Sequence, residues 1–190
     1  MIPQFKKAKL ILFEPTKFFS KLKEKSLVSA FTYFILLVCI YNVMVLIIQP
    51  LTFWLFFDVL YPAFGIEGVV PEIDGLIMVL ISVLGISMTI AMSFLVALLL
   101  HLWIKLFGGK KKYAETYEIM AYSTTPNYLI GWIPIVGFLT FIYQIYLLIL
   151  ATHQVHKIKY KTTVLMYVIP LSLLFVLYVI GLYFFFTSMV

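Results

Sequence analysis

Arginine is absent from this chain, cysteine occurs once, and only 12% of the residues are charged; each shortage removes a class of protein. Soluble domains carry roughly 25% charged and 45–50% apolar residues, whereas this 190-residue chain is 64% hydrophobic and 18% aromatic. A water-soluble fold is excluded. The single cysteine, Cys39, lies in the first apolar run and can form no intrachain disulfide. The alternating ten-residue pattern of an outer-membrane barrel is also missing, while several apolar runs reach the roughly 18 to 20 residues that a helix needs to cross the hydrocarbon core. What remains is an all-α membrane protein.

Apolar runs fall at 27–49, 76–106, 117–131, 134–152 and 164–190. They predict a five-span transmembrane helix bundle forming a single domain over 1–190, with no internal repeat or low-complexity tract. The first run follows a basic segment but is longer than a signal-peptide core and has no small-residue cleavage site after it, so it is expected to stay in the mature protein. At 1.5 Å per residue the third run gives only roughly 22 Å, so it either crosses fully or forms a re-entrant hairpin with the fourth around Trp132-Ile133-Pro134. The second reaches roughly 46 Å and is expected to tilt or to extend beyond the membrane. Leu51 to Phe57 is either an interfacial helix or an extension of the first span.

All fourteen basic residues are lysines, confined to Lys6–Lys25, Lys105–Lys112 and Lys157–Lys161. With five spans these fall on one side, and Asp58, Glu67, Glu72 and Asp74 fall on the other. The positive-inside rule makes the lysine side cytoplasmic, with the amino terminus inside and the carboxyl terminus outside. Trp54 and Trp132 at one boundary and Trp103 at the other agree with this layout. The net charge of +6 is then a topology signal and an attraction to anionic lipid headgroups; nucleic acid is not needed to explain it.

Before the first span, ILFEPTKFFSKLKEK places Pro15 in a first helical turn and groups Phe18, Phe19 and Leu22 on one face. Lys17, Lys21 and Lys25 lie on the remainder. The pattern, within a cytoplasmic segment 1–26, predicts a short interfacial amphipathic helix that anchors topology by dipping its aromatics into the headgroup boundary, or docks a partner. Lys110, Lys111 and Lys112 offer a second contact for headgroups or a partner.

In the second span Gly85, Thr89, Ser93 and Ala97 recur every fourth residue, a ridge without bulk that lets another helix approach, from this chain or a second copy. In the third, Ser123, Thr124, Thr125, Pro126 and Asn127 stand together. Pro126 frees a carbonyl near Tyr122, and the neighbouring hydroxyls can satisfy it. The run is read as a repaired kink, or as the wall of a polar cavity completed by Asn42 and Gln144.

Apart from His101 near the inner boundary, no ionisable group is placed deep in a span, which argues against a proton-driven carrier. His101, His153 and His156 lack ligand-like spacing and are read as interfacial, so no metal or cofactor is expected. Gly108-Gly109-Lys110 is a turn without the pattern of a phosphate-binding loop. Glu115 and Glu118, one turn apart beside the lysines, are assigned to helix-start electrostatics.

Two stretches, ILFEPTKFFSKLKEK and YAETYEIMAYSTTPNYLIGWIPIVG, together with the five-span layout, resemble the Yip domain family of Ypt-interacting membrane proteins in its short prokaryotic, archaeal form. The resemblance covers nearly the whole chain. It implies a five-span scaffold or adaptor in vesicle trafficking or membrane shaping rather than an enzyme, since eukaryotic members bind Rab-type GTPases and one another. The family's Asp-Leu-Tyr-Gly-Pro and Gly-Thr-Ala-Gly-Tyr motifs are absent, so no GTPase contact is carried over. Membrane-protein partners or a homo-oligomer are expected. The competing readings are a small channel or carrier with a polar pathway around Ser123–Asn127, and a membrane-embedded enzyme acting on lipid, which would need polar residues clustered in a lipid-accessible groove.

Overall fold

Ser26 opens the first long helix by accepting the amide of Ser29 on its side-chain oxygen at 3.4 Å, satisfying a donor that the helix cannot serve itself. The computed structural model describes residues 4–22, 26–63, 65, 75–133 and 136–187. Its helices are α1 (Gln4–Phe13), α2 (Pro15–Ser20), α3 (Leu27–Trp54), a π-helical stretch (Leu55–Leu60), α4 (Tyr61–Ala63), α5 (Gly75–Leu106), α6 (Tyr113–Ser123), α7 (Thr125–Ile130), α8 (Val136–His156) and α9 (Tyr160–Thr187). No strand occurs among the described residues. Lys25, Glu67, Glu72, Asp74 and Pro134 lie outside them.

Four stretches are long and apolar enough to cross a membrane: Leu27–Ala63, Gly75–Leu106, Val136–His156 and Tyr160–Thr187. The sequence counted five. The missing one is α6 with α7, of 11 and 6 residues, parted at Thr124. Chemistry at the break is local. The carbonyl of Tyr122 lies four residues before Pro126, which has no amide hydrogen to give it, and it receives the hydroxyl of Thr125 at 2.6 Å; Thr124 donates to Ala121 O at 2.9 Å.

The first span does not end at Gln49. Helix continues over Pro50 and through the π-helical stretch to Ala63. One proline removes a single ladder bond, and Phe53, Phe57 and Tyr61, spaced four apart, pack ring against ring, the first pair stacked and the second tilted, with centroids 5.4 and 5.0 Å apart. Leu51 to Phe57 is thus an extension of span one.

α6 lies at the centre, in contact with α3, α5 and α8, and every residue from Thr116 to Ser123 is buried. Ring pairs Phe31–Tyr117, Tyr33–Tyr122 and Phe34–Tyr128 rise together along α3 and α6–α7, so these run parallel. Contacts of Ser93 with Tyr117 and of His101 with Thr116 descend along α5, which runs antiparallel. α9 packs on α8 and is tied to α5 by Trp103 Nε1, which donates to Met166 O at 3.1 Å.

The amino-terminal segment is not laid out as one interfacial helix. It forms two short helices that pack onto α8 and α7, and Ile11, Phe18 and Phe19 are buried in the core cluster with Tyr122, Leu147 and Ala151. Phe18 meets Tyr122 edge-on at 5.2 Å, and Tyr143 donates to Leu12 O at 2.8 Å. Aromatics expected in the headgroup boundary are therefore seated in protein. Leu22 packs against the same cluster, while Lys17 and Lys21 remain exposed.

Candidate functional site: a polar cavity beside the broken helix

The break at Thr124 turns Asn127 toward α8. Asn127 Nδ2 donates to Gln144 Oε1 at 2.6 Å, and Thr140 Oγ1 donates to Asn127 Oδ1 at 2.7 Å, sharing its hydrogen with Gly137 O at 2.9 Å. Close approach at the α7–α8 turn requires glycine: a Cβ on Gly137 would come within 2.7 Å of Gly131 O. Asn127 and Gln144 then face a cavity of about 580 Å³, within the size range of small-molecule sites. Asn42, Gly85, Thr89 and Thr124 complete its polar wall, and Tyr41 and Tyr128, edge to face at 5.4 Å, close one side. Asn42 Nδ2 is held by Val38 O at 2.8 Å.

A family model described as the Yip1 domain matches residues 9–183. The chain belongs to the Yip1 domain family. No curated protein and no solved structure matches it. The match takes in all four candidate spans as far as residue 183 and the whole of the broken helix, so the cavity lies within the Yip1 domain.

Of the polar run in this Yip1 domain, Thr124 and Asn127 border the cavity together with Asn42 and Gln144. Ser123 and Thr125 are fully buried, and Thr125 Oγ1 lies 3.0 Å from the hydroxyl of Tyr33 on α3. Pro126 is buried in the first turn of α7. The small residues of α5 divide in the same way. Ser93 and Ala97 are buried, Ser93 lying 3.0 Å from Tyr117 Oη, but a Cβ on Gly85 would meet nothing within 4 Å. Within this chain the lower half of the ridge packs, and the upper half opens the cavity.

The lysine positions are simpler. Lys17 pairs with Glu14 at 2.7 Å on the surface, and its hydrogen bond and charge hold the Glu14 carboxyl below the usual carboxylate range. Lys112 gives its backbone amide to Glu115 Oε2 at 3.1 Å, fixing the start of α6. Lys110 and Lys111 belong to the same loop, Lys110 exposed and Lys111 half-buried.

Sequence reasoning passed over a second polar region. Lys7 and Glu118 are each 1% exposed. The Lys7 ammonium lies 3.1 Å from Ser29 Oγ and 5.7 Å from the centre of the Tyr122 ring. His101 and His156, read as unrelated interfacial residues, are joined through Thr116, whose Oγ1 is 2.8 Å from His101 Nδ1 and 3.2 Å from His156 Nε2. No group of three or more His, Cys, Asp or Glu able to hold a metal occurs among the described residues. The available signal for Glu118 was helix length: α6 starts at Tyr113, which places Glu118 in its middle rather than at its boundary.

Proposed function

We propose that this Yip1 domain protein is a non-enzymatic integral membrane scaffold or adaptor that organises other membrane proteins or lipid. The observation that carries the reading is the gathering of lysine segments at one end of the bundle. Lys110, from the α5–α6 loop, borders the same cavity as Lys157 and Lys159 from the α8–α9 loop. Lys7 sits against Ser29 at the start of α3, which adds the amino-terminal segment to that end. A basic face of this kind suits contact with acidic partners and with anionic lipid.

The broken helix supports a five-span layout. α8 is 21 residues long, roughly 30 Å at 1.5 Å per residue, and its His156 end abuts Gly109 at the lysine end. α6 starts at that end and α7 meets the opposite end of α8 at Gly131 and Gly137, so α6 with α7 covers the same depth. Counted as a crossing, it supports the reading in which the lysine loops and the amino terminus lie inside and the carboxyl terminus outside.

Cross-linking mass spectrometry on native membranes tests the scaffold. Reproducible links from Lys17, Lys21 or Lys110–Lys112 to the same partner proteins are expected; links within this chain alone would count against it.

The polar cavity favours a second reading, a small channel or carrier. In liposomes it predicts solute flux that Asn127→Leu and Gly85→Leu both suppress, the latter by filling a position that has no neighbour to clash with. Absence of flux across a broad panel of small solutes removes that reading.

A further inference from the structure

We propose that the cleft between α5, α8 and α9 binds one anionic phospholipid, its phosphate in a basic pocket at the lysine end and an acyl chain in the apolar groove directly above.

The pocket arises from two reversals of the chain. α5 ends with Gly108 in the left-handed region at φ 86°, while the amides of Gly108 and Gly109 return to Lys105 O and Ile104 O at 3.0 Å each. This is the paired bonding that closes helices through a glycine. The α8–α9 connection turns at Lys157, a non-glycine residue at φ 58°. Between them lies a cavity of about 310 Å³ bordered by Phe107, Lys110, His156, Lys157, Lys159 and Thr162, with no acidic side chain in its wall.

His156 supplies an independent pointer. It is 2% exposed, and its Nδ1 has no hydrogen-bond partner among the described residues. Burying a polar atom without a partner is costly, and such atoms in native proteins are commonly served by a ligand or water. With the chain directed from His101 Nδ1–H to the Thr116 oxygen and from the Thr116 hydroxyl to His156 Nε2, which is the direction the proposal takes, a neutral His156 carries its proton on Nδ1, a donor suited to a phosphate oxygen. Gly109 lets the turn pack closely against this ring: a Cβ there would lie 2.5 Å from Ile104 Cγ2 and 2.9 Å from His156 Nδ1. Thr162, in the first turn of α9, borders the same pocket.

A soluble phosphate would need nothing further, but a second compartment lies on the far side of the buried cluster of Ile104, Ile158 and Met166, of which Ile158 borders the pocket and Met166 the groove. One turn deeper, Trp103, Leu99, Leu148, Met166, Pro170 and Leu171 border a groove of about 570 Å³ with an almost wholly apolar wall. Phe107 of the basic pocket and Trp103 of the groove are in edge contact at 5.1 Å, and both are partly exposed, forming a side rail between the two compartments. Thr162 and Met166 repeat the one-turn step on α9. Basic pocket below and apolar groove above match the order of phosphate and acyl chain in a phospholipid lying along the bundle. This assignment rests on the lipid side of the reading above and on the same basic pocket; the cross-linking test of protein partners can fail without touching it.

Native mass spectrometry of the full chain released from nanodiscs containing equal amounts of phosphatidic acid and phosphatidylcholine of identical chain length provides the test. One phosphatidic acid is expected to remain bound, in at least about tenfold preference to phosphatidylcholine. Lys110→Gln/Lys157→Gln/Lys159→Gln should abolish the preference, and Lys159→Gln alone should reduce it without threatening the fold. Leu171→Trp, which fills the groove, should lower retention of phosphatidic acid several-fold. Glycerol phosphate, lacking the chain, should not compete at millimolar concentration. Equal retention of the two lipids, or unchanged preference in the charge variants, overturns the site. Full competition by glycerol phosphate together with no effect of Leu171→Trp assigns the pocket to a soluble phosphate and overturns the lipid.

Discussion

Phe19→Ala is expected to destabilise the protein in mild detergent by about 3–5 kcal/mol, the range for removing a buried aromatic ring. For a chain of this size the shift in thermal midpoint is roughly 6 to 20 °C. Phe19 is 2% exposed in the cluster that also holds Tyr122, Leu147 and Ala151. Phe13, six residues earlier in the same segment, is 76% exposed, so Phe13→Ala should change stability by no more than about 0.5 kcal/mol. The pair separates two roles for the amino-terminal segment. If it were an interfacial anchor, both rings would sit in the headgroup boundary and both substitutions would be mild once detergent replaced the bilayer. If it is part of the bundle, only Phe19 matters. Equal, small effects in a thermal melt would refute the docked arrangement.

The same segment shows where sequence stops being informative. Phe18, Phe19 and Leu22 share a face whether that face meets lipid headgroups or protein, because both environments reward the same apolar pattern; choosing between them needs the partner surface, here α8 and Tyr122. By contrast, the helical class and four of the five apolar spans were legible because the bilayer demands length and composition, both of which a sequence carries openly. The interruption before Pro126 was legible for a related reason: a proline in an apolar helix must have its freed carbonyl served, and Thr125 beside it serves Tyr122 O. Asn42, Asn127 and Gln144 stood out as scarce polar side chains in apolar runs, and three different helices bring them to one cavity. Gly85 was harder. Small residues at four-residue spacing describe a surface without bulk, but whether the vacated space is filled by another helix, as at Ser93 and Ala97, or left open, as at Gly85, is a matter of how far the neighbouring helix leans. Leu51 to Phe57 stayed open between two readings because a helix in lipid can absorb one proline, here Pro50, where a soluble helix would end.

The second large effect is expected from the buried charges. Ser29 lies one turn before Tyr33 on α3, and Glu118 one turn before Tyr122 on α6; because Tyr33 and Tyr122 are in contact at 5.2 Å and the helices run parallel, Ser29 and Glu118 occupy the same level. Lys7 bonds Ser29 at 3.1 Å and lies over the Tyr122 ring, which sets its ammonium at the level of the Glu118 carboxylate. Two opposite charges, each 1% exposed, are tolerable together and costly apart. Lys7→Met and Glu118→Gln should therefore each destabilise the chain by about 3–5 kcal/mol, because each leaves its counterpart without compensation in a region of low dielectric. The double variant should lose less than the sum of the two, by about 1 kcal/mol or more. Reversible unfolding in mixed detergent micelles reads all four corners of the cycle. Additivity within about 0.5 kcal/mol would mean that the two charges do not sense one another. Coupling would establish that α1 is held to the central helix by charge as well as by Phe19, so that the amino-terminal segment and the helix broken at Thr124 form one structural unit.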